Sequence, residues 1–90
     1  MEEIFKYHEN IIDEIDGAKH YAKMAFAVRA DHPDYAKVMQ EMALQELDHA
    51  EHLHKISMGM LTDETKPIYD MMRKKDLEHI AEAKAMISMI

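Results

Sequence analysis

The sequence predicts an all-α protein, an antiparallel helical hairpin followed by a third helix, in one domain of 90 residues. Only 2 Gly and 2 Pro occur, whereas Ala, Leu, Met, Glu and Lys, which favour helix, are plentiful. Long segments repeat apolar residues at every third or fourth position, which is the spacing of one face of a helix. Both prolines follow short polar segments, which is typical of the first turn of a new helix.

Two short breaks divide the chain into the three predicted helices. The segment Asp31–Asp34 interrupts the first apolar pattern, and Pro33 suits the first turn of the second helix. A connection this short makes the first two helices antiparallel neighbours. The polar segment Leu61–Lys66 then leads to a third helix with Pro67 in its first turn. The predicted helices span about residues 2–30, 33–60 and 66–90.

Charge and composition argue against several classes of protein. The formal net charge of −7 is unsuited to nucleic acid or an anionic membrane, since both attract positive surfaces. No apolar run approaches the ~18 residues of a membrane span, and the N-terminus lacks the pattern of a signal peptide. We therefore expect a cytoplasmic protein. Because the chain has no cysteine, any metal must be held by carboxylate and imidazole groups, which suit iron, manganese or zinc.

The segment Glu46–His49 is central to the functional interpretation. Its glutamate and histidine are three residues apart, so both lie on one face of a helix and can reach a single metal ion. The other residues of that face are apolar or aromatic, and we expect the whole stripe to be buried. A buried carboxylate without a partner costs several kcal/mol, roughly, and a metal ion would compensate it. The stripe consists of Tyr35, Met39, Met42, Glu46, His49, Leu53, Ile56 and Met60.

Glu14 is the third candidate ligand, because it alone interrupts the apolar stripe of the first helix. If the hairpin turns between residues 31 and 32, Glu14 lies level with His49. Glu46 is then one helical turn, about 5 Å, nearer the connection. The three side chains should therefore meet at one level of the hairpin. Gly17 follows Glu14 by one turn, and its missing side chain is expected to let another helix approach closely there.

One hairpin supplies half of a dinuclear carboxylate site, which takes a Glu from each of two helices and a Glu-x-x-His pair from each of two more. The other half comes from Asp76 and His79 or, as we favour, from a second copy related by a two-fold axis. A second copy would also enlarge the small core of so short a chain. For Asp76 and His79 we expect a solvated or partly exposed face, and for His52 and His54 solvated side chains.

These residues resemble the metal-binding helices of ferritin-like proteins of the rubrerythrin type. Glu14 and Tyr21 have the Glu-x6-Tyr spacing of the first helix, and Glu46–Ala50 matches the Glu-x-x-His-Ala run. The resemblance covers about residues 7–60. It implies that Glu14, Glu46 and His49 are the catalytic iron ligands of a ferroxidase, with Tyr21 beside them. The implied reaction is oxidation of Fe(II) by dioxygen, for iron storage or detoxification.

A chain with one such half is most similar to the encapsulated ferritins, whose dinuclear iron centre forms between two subunits. The resemblance thus implies a homodimer or higher homo-oligomer that completes a four-helix-type bundle. No cargo tag is readable at the C-terminus, so the sequence does not decide whether an encapsulin shell is a partner. Two alternatives remain. One is a helical interaction module whose buried polar residues fix the pairing register, and the other is a bundle that binds zinc or manganese without catalysis.

Overall fold

The computed structural model describes residues 2–90, and this part of the chain is all-helical, as the sequence predicts. Helix α1 spans Glu2–Val28, α2 spans Pro33–Gly59 and α3 spans Lys66–Ser88. The helices form an elongated bundle of 52 × 17 × 15 Å. Within residues 2–90, no helix is long and apolar enough to cross a bilayer. Met1, the first residue of the predicted domain, lies outside the described residues.

A short, hydrogen-bonded turn makes α1 and α2 an antiparallel hairpin. The backbone N–H of His32 donates to the carbonyl of Val28 at 2.7 Å, and that of Ala36 donates to the carbonyl of His32 at 3.1 Å. The His32 ring stacks on Tyr35 with 4.7 Å between the ring centroids. The turn places the two helices side by side, and their contact is the most extensive in the bundle.

Small side chains line the contact between α1 and α2, which allows the two backbones to approach closely. Ala18 and Ala22 of α1 and Ala43 and Ala50 of α2 are fully buried. Helix α3 covers one side of the hairpin, and removing each of its buried isoleucines from water stabilises the bundle by about 1.5–3 kcal/mol. The core consists of Ile11, Ile15, Ala18, Ala22, Ala43, Leu47, Ala50, Ile80, Ala83 and Ile87.

The stripe of α2 that we expected to be buried is largely uncovered in the single chain, so that prediction is wrong. Tyr35 is 54% exposed and Ile56 is 50% exposed. Helix α3 packs on a different side of the hairpin, so the adjacent face of α2 becomes the buried one. The apolar spacing identified residues that share a face, but it did not show which face α3 covers. The buried residues of α2 are Ala36, Ala43, Leu47, Ala50 and Ser57.

Candidate metal centre

Glu14, Glu46 and His49 come together across the hairpin. Each offers one carboxylate oxygen or imidazole nitrogen, and these atoms all lie within 4.8 Å of one another. Nδ1 of His49 is 3.5 Å from Oε2 of Glu14. Among the described residues, no other group of three or more acidic or histidine side chains converges in this way. The hairpin register therefore placed the three residues at the correct level, and their role as metal ligands remains a prediction.

This metal-candidate cluster lies on a side of the hairpin that α3 leaves uncovered. The His49 side chain is 59% exposed and that of Glu14 is 29% exposed. Around it lies an apolar surface, which we call the open face. Four of its positions recur at seven-residue intervals, so they share one side of α2. Its α2 residues are Tyr35, Val38, Met42, His49, Leu53 and Ile56, all exposed or half-buried.

The electrostatics of the cluster favour a cation. Hydrogen bonding with Glu14 raises the pKa of Glu46, and burial and repulsion by the Glu14 charge act in the same direction, whereas His49 lowers it. Oε2 of Glu14 is buried and has no hydrogen-bond partner. Two carboxylates and one imidazole are also the donor types that iron, manganese and zinc accept. The residues present thus fit a bound metal ion.

Tyr21 is half-buried on α1, two helical turns beyond Glu14. Its ring packs at 6.0 Å from that of His20. Its place beside the metal ligands remains a prediction.

Asp76 does not join this cluster, and its predicted exposure is wrong. The side chain is fully buried, and Nδ1 of His8 lies 2.9 Å from Oδ1 and 3.2 Å from Oδ2. His54 of α2 adds a third group, which is close enough for its charge and that of Asp76 to interact. We call His8, His54 and Asp76 the three-helix cluster, since each helix contributes one member. His79, in contrast, is partly exposed, as predicted.

Burial has the largest effect on the pKa values of Asp76 and His54. It raises the pKa of Asp76, although the hydrogen bond and charge of His8 partly oppose this. Burial lowers the pKa of His54 despite the opposing charge of Asp76. Nε2 of His54 is buried without a hydrogen-bond partner, so the prediction of a solvated His54 is also wrong.

A second buried polar contact lies beside this cluster. The hydroxyls of Tyr69 and Ser57 are hydrogen-bonded to each other, and both residues are fully buried. The Ser57 hydroxyl also contacts the backbone carbonyl of His54 at 2.7 Å. Burial raises the pKa of Tyr69.

The sequence contained a signal for His8 that we did not use. His8 belongs to the stripe that α1 buries most completely, and a lone histidine in an apolar stripe predicts a buried partner. The identity of that partner depends on where α3 packs, which spacing within α1 does not specify. The stripe reads Ile4, His8, Ile11, Ile15, Ala18 and Ala22.

The all-helical fold and a Glu that meets a Glu-x-x-His pair across a hairpin define a ferritin-like protein with a candidate carboxylate–imidazole metal centre. The Rubrerythrin family model matches residues 8–88. The chain therefore belongs to the rubrerythrin family of the ferritin-like superfamily, which confirms the resemblance seen in Glu14 and Glu46–Ala50. This family typically binds iron. No curated protein and no solved structure matches the chain significantly.

Proposed function

We propose that the protein is a ferroxidase whose dinuclear iron centre forms between two copies of the chain. One observation carries the proposal: Glu14, Glu46 and His49 converge on the uncovered side of the hairpin. They provide one Glu and one Glu-x-x-His pair, which is half of the donor set of dinuclear carboxylate centres in helical bundles. A two-fold axis beside the cluster supplies the same three residues again.

The open face supports pairing of two copies. Tyr35, Val38 and Ile56 are each at least half exposed, and they lie on the same side of α2 as His49. Covering a large apolar side chain completely contributes about 1.5–3 kcal/mol. A second hairpin on this face would cover these side chains, shield the cluster from water and complete a four-helix bundle.

Each residue of the cluster has a role that follows from its chemistry. Glu14 and Glu46 would hold Fe(II), the substrate, through their carboxylate oxygens, and a carboxylate can serve two ions at once. His49 is the terminal nitrogen ligand on each ion. The pKa of Glu46 is raised in the metal-free protein, and a bound cation would favour the ionised carboxylate. A bound iron pair supplies electrons to dioxygen or to a peroxide.

Anaerobic titration with Fe(II), followed by exposure to air, tests the proposal. We expect two Fe(II) ions per dimer, a ferric absorbance after air is admitted, and a dimeric or larger mass in solution. Glu46→Ala should abolish the absorbance, while Glu82→Ala, at an exposed residue paired with Lys19, should leave it intact. An unchanged spectrum in the parent protein, or the same spectrum in Glu46→Ala, would overturn the proposal.

The open face also favours a second candidate, a helical assembly module without a catalytic metal. Thermal melting separates the two, since a ligand that binds only the native state stabilises it. The ferroxidase should melt at a higher temperature with Fe(II), Mn(II) or Zn(II). The melting temperature of an assembly module should be unchanged by all three ions and should rise in His49→Leu. A bundle that only holds zinc or manganese should gain stability from those ions but show no oxidation of Fe(II).

A further inference from the structure

We propose that Gly17 is a positioning residue for the carboxylate of Glu46. The inference rests on the proposed metal site, and it concerns which part of the chain sets the geometry of that site. Gly17 lies on α1, three residues after Glu14, and Glu46 reaches it from α2. A Cβ atom added to Gly17 would lie 3.1 Å from Oε2 of Glu46, 3.6 Å from Cδ and 3.7 Å from Cγ.

The backbone gives no reason for a glycine at this position. Gly17 lies inside a helix of 27 residues, and no glycine in the described chain has a positive φ. Glycine in a helix interior is destabilising relative to alanine. The three atoms nearest to the missing Cβ all belong to Glu46. The absent side chain therefore leaves the space that the carboxylate of Glu46 occupies.

Any side chain at position 17 would move that carboxylate. A separation of 3.1 Å is shorter than an ordinary van der Waals contact, so even a methyl group displaces Oε2 by a few tenths of an ångström, roughly. The carboxylate that moves is one of the two that must share a cation, so its position relative to Glu14 changes. Metal–ligand distances tolerate deviations of about 0.2 Å, so a displacement of this size affects metal affinity.

The other glycine of the chain provides a matched control. Gly59 is the last residue of α2, and a Cβ added there would have nothing within 4 Å. Gly59→Ala therefore makes the same chemical change, also at a helical position, without touching the cluster.

The experiment compares Gly17→Ala, Gly17→Val and Gly59→Ala with the parent protein. Two quantities are measured for each, the melting temperature of the metal-free protein and the Kd for Mn(II), which is used as a probe that air does not readily oxidise. Gly17→Ala should raise the metal-free melting temperature by a few degrees, because alanine is the better helix former. It should also weaken Mn(II) binding by about tenfold, which corresponds to small changes in ligand position. Gly17→Val should weaken binding further, and Gly59→Ala should leave the Kd unchanged.

The opposite directions of the two effects separate positioning from general damage to the fold. If the parent binds Mn(II) and both Gly17 variants bind it equally tightly, the inference about Gly17 is wrong and the proposed function stands. If Gly59→Ala loses as much affinity as Gly17→Ala, the effect does not depend on the space beside Glu46, and the inference is again wrong. If the parent binds none of Mn(II), Zn(II) and Fe(II), both the proposed function and the inference fail.

Discussion

The metal-candidate cluster and the three-helix cluster both combine carboxyl and imidazole groups, but they differ in the number of each group and in access to solvent. The first holds two carboxylates and one imidazole on the open face, with His49 59% exposed. The second holds one carboxylate and two imidazoles, and its Asp76 is fully buried. His8 contacts the carboxyl of Asp76 from within the chain, whereas the two carboxylates of Glu14 and Glu46 outnumber the one imidazole beside them and favour a cation from solution. The ratio of carboxyl to imidazole groups and the exposure to solvent together distinguish the candidate metal site from the structural contact.

The two clusters also depend on different helices. Helices α1 and α2 supply the whole metal-candidate cluster, so its geometry depends on the hairpin. Helix α3 contributes Asp76 to the other cluster and buries it against the hairpin. Substitutions in the metal-candidate cluster should therefore weaken metal binding with little change in stability. Substitutions in the three-helix cluster should lower stability with little change in metal binding.

The largest expected effect is the loss of metal binding in Glu46→Ala. Removing this carboxylate deletes a ligand, and we expect the affinity for Mn(II) to fall by more than about a hundredfold, since even residues that only support ligands account for about 10–100-fold. The metal-free protein should be as stable as the parent or more stable, because the repulsion by Glu14 disappears. Isothermal titration and thermal melting measure the two effects. If Glu46→Ala bound Mn(II) as tightly as the parent, the metal-candidate cluster would not be the metal site.

The next effect is a loss of stability in Asp76→Ala. Removing the carboxyl of Asp76 deletes its buried hydrogen bond with His8, and the loss of one partner of a buried hydrogen bond costs about 1–3 kcal/mol. We expect the free energy of unfolding to fall by about 2 kcal/mol, since His8 is partly exposed and regains water as a partner. Urea denaturation gives the free energy, and Mn(II) titration of the folded variant should match the parent. Weakened metal binding at full stability would mean that the two clusters are not separate.

A smaller effect is the pH dependence of Asp76→Asn. Burial raises the pKa of Asp76, so the native carboxyl binds its proton more tightly than the unfolded one. The resulting stability is present below the unfolded pKa and is lost as the pH rises through the native pKa. The asparagine variant lacks this titration, so the parent should lose stability relative to Asp76→Asn as the pH rises above about 4, the ordinary value for an unfolded aspartate. Urea denaturation of both proteins at several pH values measures the difference, and a constant difference would contradict the prediction.

The smallest effect is expected at the surface pair of Lys19 and Glu82. Their side chains are 3.1 Å apart, and that of Glu82 is 64% exposed. Solvent and salt screen such pairs, so they contribute little to stability. Glu82→Ala should leave both the melting temperature and the Kd for Mn(II) unchanged within error. A clear change in either quantity would show that the response is not confined to the two clusters.

Much of the hairpin was predictable because its determinants are local. Pro33 and the apolar spacing indicated antiparallel helices, and counting from the turn placed Glu14 level with His49. The position of α3 was not predictable in the same way, since it depends on contacts between residues far apart in sequence. For that reason the burial of Asp76, its pairing with His8 and the exposure of Tyr35 and Ile56 were all missed. Close approach at Gly17 was expected, but its neighbour Glu46 was not specified.

The exposure of a half donor set on the open face has a thermodynamic consequence. Under the proposed function, a metal ion binds paired chains more tightly than separate ones. The two equilibria are linked reciprocally. If pairing of the chains raises the affinity for the ion by a certain factor, the bound ion raises the affinity between the chains by the same factor. The apparent affinity for iron therefore rises with the concentration of the chain, and dilution favours release of iron. Cellular abundance of the protein would thus act as a control on when iron is taken up.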